Sequence, residues 1–309
     1  MNIFAQQDLS PGFATIVFFA FGTCIIAWAV LVERCFKGTP ILPYQPRRQV
    51  PWRVWDLLAV LFFYFVLSVV VIHIALYFYG LEINESPERI SIKKITDHPI
   101  LQLLAARNWT AIILCSVAGI VVAPIIEEMF FRVLLQGWLE KVDRNWRRRA
   151  PILRRVMPMA AMPILISSLI FAGQHFRFAT PPQDARLLIL LFVCDSFVKI
   201  LSLIFVMVLL YWRVGAKAVD LGWEPKKIGS DIGLGLIAFL AIAVPIYAMQ
   251  LYLPQLLPKD FAPDPIPIFF FAIALGFLYH RTHRAAPPIA LHMALNASSL
   301  AMALISLAG

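Results

Sequence analysis

The sequence predicts an all-α protein: a polytopic transmembrane bundle of about eight spans with both termini outside. Three observations predict it. Of 309 residues, 61% are hydrophobic and 15% are charged, where a soluble domain carries about 25% charged residues; the mean hydropathy is +0.78. The apolar residues gather in runs of about 17–25, the length that crosses a bilayer core as a helix. The basic residues gather in alternate connecting loops, as the positive-inside rule requires of a chain that crosses repeatedly. The formal net charge of +9 therefore reads as topology and not as a nucleic-acid footprint. Four scattered cysteines without a C-x-x-C pair indicate neither a disulfide framework nor a thiolate metal site.

The first span runs from about Gly12 to Leu31. No Lys or Arg precedes it, so it reads as a retained span and not as a secretory signal. An extended, proline-rich loop with Arg34, Lys37, Arg47, Arg48 and Arg53 leads to the second span, Trp55 to Tyr79. After a loop of mixed charge, Trp109 to Leu139 stays apolar for about 31 residues. That is long for one straight crossing, and Pro124 interrupts it, which fits a tilted and kinked helix or a broken one. The most basic segment, Lys141 to Arg155, follows. The fourth span is Pro158 to Phe178, and the fifth, Leu187 to Trp212, contains Asp195 and Lys199. The sixth is Ile232 to Leu253, the seventh Ile266 to Tyr279, and the eighth begins at Pro287 and Pro288 and runs to Leu307. Basic loops follow spans one, three, five and seven, which is the alternation that eight spans require.

The most informative stretch is Ala123-Pro124-Ile125-Ile126-Glu127-Glu128-Met129-Phe130-Phe131-Arg132. One charged side chain at the bilayer centre costs about 2.5–3.5 kcal/mol, so three lipid-facing and unpaired would cost on the order of 8–10 kcal/mol. Such charges persist only when they face the protein interior and pair. Residues four apart share a helix face, so Glu128 is expected to pair with Arg132, while Glu127 points about 100° away and stays free. One carboxylate is then an anchor and the other a candidate general base.

Three further constellations accompany it. His175 closes the stretch Phe171-Ala172-Gly173-Gln174-His175. His292 and Asn296 are four apart and can both donate hydrogen bonds to a developing oxyanion. Asp195 and Lys199, also four apart, read as an internal ion pair, and His73, without a charged companion, as a packing or helix–helix hydrogen bond. Base, second acid/base group and oxyanion donors are the parts of a water-activating hydrolase. Two histidines and a glutamate also suit a divalent metal with an open position, and the residues alone allow both chemistries. A transporter using the buried charges as an ion path would want an inverted repeat or matching broken helices, and no internal repeat is visible.

Glu127-Glu128-x-x-x-Arg132, Phe171-x-x-x-His175 and His292-x-x-x-Asn296, in that order and each on an apolar span, resemble the three motifs of the CPBP family: the type II CAAX prenyl proteases and the bacteriocin-processing and immunity proteins. The likeness covers roughly Ala111 to Ala303. It implies a two-span N-terminal extension (residues 1–108) and an intramembrane protease domain (residues 109–309). By that resemblance Glu127 and His175 activate the attacking water, His292 and Asn296 hold the oxyanion, and Glu128 and Arg132 support the site. It implies a glutamate-type hydrolase without a cofactor; if a metal such as zinc takes part, Glu127, His175 and His292 are its ligands. The implied setting is the cell membrane, with membrane lipid and a peptide or protein substrate, membrane-anchored and of CAAX type, as partners and no nucleic acid. The alternative is a non-catalytic membrane scaffold or immunity-type protein that keeps the same residues for structure.

Overall fold

In the computed structural model, residues 11–46, 49–79, 109–150, 152, 157–175, 185–257 and 265–308 are described. The loop expected between the second and third spans, together with Arg154 and Arg155, lies outside them. Among the described residues the chain is helical, with no strand. In chain order the helices are α1 (Pro11–Phe36), α2 (Val54–Tyr79), α3 (residues 109–149), α4 (Ala161–Gly173), α5 (Ala185–Val214), α6 (Ile228–Leu256), α7 (Pro265–Thr282) and α8 (Ala286–Ala308). Among the described residues six helices are long and apolar enough to cross a membrane: α1, α2, α3, α5, α6 and α7. Their outer faces agree: Phe18 is 75% exposed, Phe62 70% and Trp212 83%, apolar surface of the kind that faces lipid.

The long third run is one continuous helix, neither broken nor confined to 31 residues. It alternates ordinary α-helix with two wider π-helical stretches, Ala118–Val122 and Met129–Gln136. Pro124 has no N–H to donate, and its ring crowds the carbonyl four residues back. The Ala123 N–H bonds the Ala118 carbonyl five residues back, so a widened turn leads into the proline and the helix continues. Beyond Leu139 the basic segment stays helical to Arg149. Asp143 and Arg147 pair four apart at 2.8 Å, and the Arg147 guanidinium donates to the Met157 and Pro158 carbonyls, fastening α3 to the approach of α4.

The fourth element is shorter than expected. At 13 residues, α4 spans about 20 Å, less than a bilayer core of about 30 Å. His175 therefore ends about 20 Å from the start of α4, not at the far side of a full crossing, which lets it approach residues near the start of α8.

The segment between α1 and α2 lies against α3. Trp52 is fully buried and donates to the Leu134 carbonyl at 3.1 Å, while the Lys141 ammonium donates to the Val50 and Trp52 carbonyls at 2.9 Å. Asp56 caps the start of α2 through the Arg53 N–H and pairs with Arg213 at the end of α5. α2 packs on α5, α1 on α6, α4 on α7, and α6 on α8.

The α6–α8 packing rests on Gly235. A Cβ there would lie 2.6 Å from the Pro287 carbonyl oxygen and 2.9 Å from the Leu291 nitrogen. Backbone atoms cannot swing aside as a side chain can. Gly235→Ala is therefore expected to cost about 1–3 kcal/mol as overpacking, read as a lowered unfolding midpoint in detergent.

Candidate active site

Glu128 is fully buried on α3 and is the hub of the site. Its Oε2 accepts from Arg132 Nε at 3.1 Å, the pairing expected from the spacing, and its Oε1 accepts from His292 Nδ1 at 2.9 Å. The bond to the carboxylate places the proton on His292 Nδ1 and turns Nε2 towards Glu127, whose Oε2 is 4.0 Å away. That separation is too long for a direct hydrogen bond and within the span of one bridging water. A buried carboxylate holding an imidazole by one nitrogen while the other faces a reactive group is the orienting logic of a catalytic dyad.

Glu127 is not free, as the spacing suggested. Its Oε1 lies 3.8 Å from Lys199 Nζ, and Lys199 also pairs with Asp195 at 2.8 Å. The expected Asp195–Lys199 pair exists, but it serves a second carboxylate from another helix. Lys199 is the site residue that spacing alone missed, because an (i, i+4) partner already accounted for its charge.

Arg132 is fully buried and three groups hold it. Beside Glu128, its Nη1 donates to Ser167 Oγ at 3.2 Å, and its guanidinium lies 5.2 Å from the Phe171 ring centroid, a cation–π distance. The Phe171 ring in turn contacts the His175 imidazole at 5.0 Å and that of His292 at 5.8 Å. His175 is therefore brought to the same ring as His292. Its Nδ1 donates to the Phe171 carbonyl at 2.9 Å, leaving Nε2 as the basic nitrogen. Asn296 is on the same face of α8 as His292, but its amide donates to the Gly119 carbonyl at 2.8 Å in the first widened turn of α3. An amide has a second N–H, and only that one remains for an oxyanion.

Among the described residues the donor atoms of Glu127, His175 and His292 do not all lie within 4.8 Å of one another. Among the described residues the three ligand-type side chains whose donor atoms gather within 4.8 Å are others, Glu140, His280 and His283. Of the remaining histidines, His73 bonds its own helix at the Val69 carbonyl and is exposed, not bridging to a neighbour.

A cavity of about 120 Å³ opens beside Glu127 between α2, α3 and α5. Leu61, Phe130, Leu203 and Val206 give it an apolar lining, into which Glu127 and Lys199 bring charge.

The family described as Type II CAAX prenyl endopeptidase Rce1-like matches residues 100–219 and 221–298. The chain belongs to this family. The Rce1-like match spans well over half the chain and contains all three motifs. It makes the chain a CAAX-type member of an intramembrane protease family, acting on a peptide or protein, and with six apolar helices a multi-pass membrane protein. No curated protein and no solved structure matches the chain.

Proposed function

We propose that the protein is an endopeptidase of the cell membrane that trims the C-terminus of a membrane-anchored CAAX-type substrate. Water held between Glu127 and His292 is the nucleophile. Glu127 takes its proton as the water oxygen attacks the scissile carbonyl and delivers it to the leaving amine as the tetrahedral intermediate collapses and the C–N bond breaks, with His175 Nε2 as a second group that relays protons. His292, as the imidazolium with a proton on each ring nitrogen, and the second N–H of Asn296 donate to the developing oxyanion. Catalytic contacts of this kind shorten once substrate is bound. Glu128 and Arg132 hold His292 and Phe171 in place. In this reading glutamate is the base and the reaction has no metal step.

The observation that carries this reading is the His292 imidazole, held by Glu128 at 2.9 Å and facing Glu127 at 4.0 Å beside an apolar cavity. Three carboxylates (Glu127, Glu128, Asp195) stand against two permanent cations (Arg132, Lys199), so an imidazolium formed at His292 would balance the cluster. The cavity suits an apolar chain attached to the peptide being cut. The eight described helices then traverse or enter the bilayer with both termini outside, and residues 1–108 form a two-span extension ahead of the catalytic unit.

The test is release of the terminal tripeptide from a farnesylated CAAX peptide in proteoliposomes, followed by mass spectrometry. Wild type is expected to release it and Glu127→Ala is not. An intact peptide with wild type, or equal release by both, overturns the reading.

A further inference from the structure

A second polar cluster lies beyond the active site along α3 and takes no part in the proposed chemistry. Glu140, from the last third of α3, is buried, as are His280 at the end of α7 and His283 in the turn to α8. His280 Nδ1 lies 3.2 Å from Glu140 Oε1, and His283 Nε2 lies 3.1 Å from Oε2.

The hydrogen-bond roles at His283 are over-determined. Its Nδ1 faces the Gln45 carbonyl oxygen at 2.8 Å. A carbonyl only accepts, so Nδ1 carries a proton. In the neutral ring Nε2 is then a lone pair aimed at a carboxylate oxygen, which repels it. Something positive has to lie between Nε2 and Oε2: a second proton, or a metal ion.

Four features favour the metal. Zinc with nitrogen and oxygen ligands at about 2.0–2.1 Å in a tetrahedron separates its ligands by about 3.3–3.4 Å; the His–Glu distances, 3.2 Å to Oε1 and 3.1 Å to Oε2, end on the two different carboxylate oxygens, and each lies close to that separation. The three donor atoms all lie within 4.8 Å of one another. A ligating histidine ordinarily donates its other ring N–H to a backbone carbonyl, and the ligating carboxylate is itself hydrogen-bonded. Here Gln45 supplies the carbonyl, and Gln136 donates to Glu140 Oε1 at 3.1 Å while also bonding the Gly276 carbonyl. Finally, a cavity of about 10 Å³ adjoins Glu140 and His283, room for about one water as a fourth ligand. Arg144 Nη2, 3.5 Å from Glu140 Oε2, is the nearby cation that such a metal would have to share the carboxylate with.

We propose that Glu140, His280 and His283 form a structural site for one divalent cation of the zinc type. The site clamps the turn between α7 and α8 to α3. The turn needs clamping: His283 has φ of +49°, a left-handed conformation that a residue with a Cβ adopts at a cost. The same turn is strapped to the 42–46 segment, where the Gln45 N–H donates to the Arg281 carbonyl and the Gln45 side chain accepts from Arg284, itself paired with Asp231 of α6. Nine residues after His283 comes His292, so the clamp fixes the entry of the helix that carries the active-site imidazole.

The experiment loads purified full-length protein with zinc in detergent, desalts it, and measures metal by mass spectrometry. About one zinc per chain is expected in wild type and in Glu127→Ala, with at least a fivefold loss in His283→Gln and in the isosteric Glu140→Gln. Chelation of wild type is expected to lower its unfolding midpoint, and added zinc to restore it. Wild type that retains no zinc overturns the proposal whatever the variants do, and assigns the positive charge at His283 to a proton. Zinc lost from Glu127→Ala but kept by His283→Gln also overturns it, by placing the metal at the other cluster. Metal content is read without any cleavage, so the outcome does not depend on the proposed reaction.

Discussion

Glu127→Gln and His292→Ala are each expected to lower kcat/KM for tripeptide release by about 10²–10⁴-fold, the usual weight of a positioned general base or oxyanion donor. The two lose different things. Glutamine at 127 keeps the shape and the contact with Lys199 but cannot take a proton. It is expected to fold as wild type, because Glu127 is partly exposed to the cavity and Lys199 retains Asp195 at 2.8 Å. Its loss should appear in kcat with little change in KM, the pattern of an interaction made only in the transition state. Alanine at 292 removes the imidazole and also strips Glu128 of its 2.9 Å donor, so its unfolding midpoint should fall as well. Full activity in Glu127→Gln would remove Glu127 as the base; a rise in KM alone would make it a binding residue.

The parts of this site that one helix supplies were legible in the sequence. Glu128 and Arg132 are four apart and do pair. His292 and Asn296 are four apart and do share a face of α8. What the sequence hid is what a second helix supplies: Lys199 reaching Glu127, Ser167 and Phe171 holding Arg132, and the Gly119 carbonyl taking an N–H of Asn296. A further line was in view but did not look like one. Glu128, Arg132, Gln136, Glu140 and Arg144 recur every four residues, and the first four are buried. On a regular helix of 3.6 residues per turn such a series drifts by about 40° per step, so Glu140 would face roughly a third of a turn away from Glu128. The wide turns of Met129–Gln136 hold more residues per turn and offset that drift. The series stays on one inward line, joined by Arg132 to Ser167, Ser167 to Gln136 and Gln136 to Glu140. Residue types alone give no sign of such widened turns, so apolar run length ended the third span at Leu139, short of Glu140. His280 and His283 fall just past the end of the seventh span at Tyr279, where run length offers no carboxylate to join them.

The largest stability effect is expected at Arg132. Glu128 and Arg132 have no exposed surface, and removing one member of a buried pair leaves the other charged and uncompensated, at about 3–5 kcal/mol. Arg132→Ala leaves Glu128 with His292 alone, opens space beside Phe171, and frees the ring that positions His175 and His292. The loss should be seen as a drop of at least several degrees in unfolding midpoint, with activity falling even in the fraction that stays folded. Arg132→Met combined with Glu128→Gln separates charge from volume. Replacing both partners of a buried pair with neutral groups of similar size is often close to neutral for stability, so the double variant should recover much of the midpoint. It should not recover cleavage, because an amide in place of the Glu128 carboxylate no longer holds the His292 Nδ1–H with a full negative charge. A double variant as unstable as Arg132→Ala would mean that Arg132 acts through its bonds to Ser167 and Phe171, and that the ion pair is incidental to the packing. A double variant that regains both stability and cleavage would show that the Glu128–His292 contact orients nothing the reaction needs.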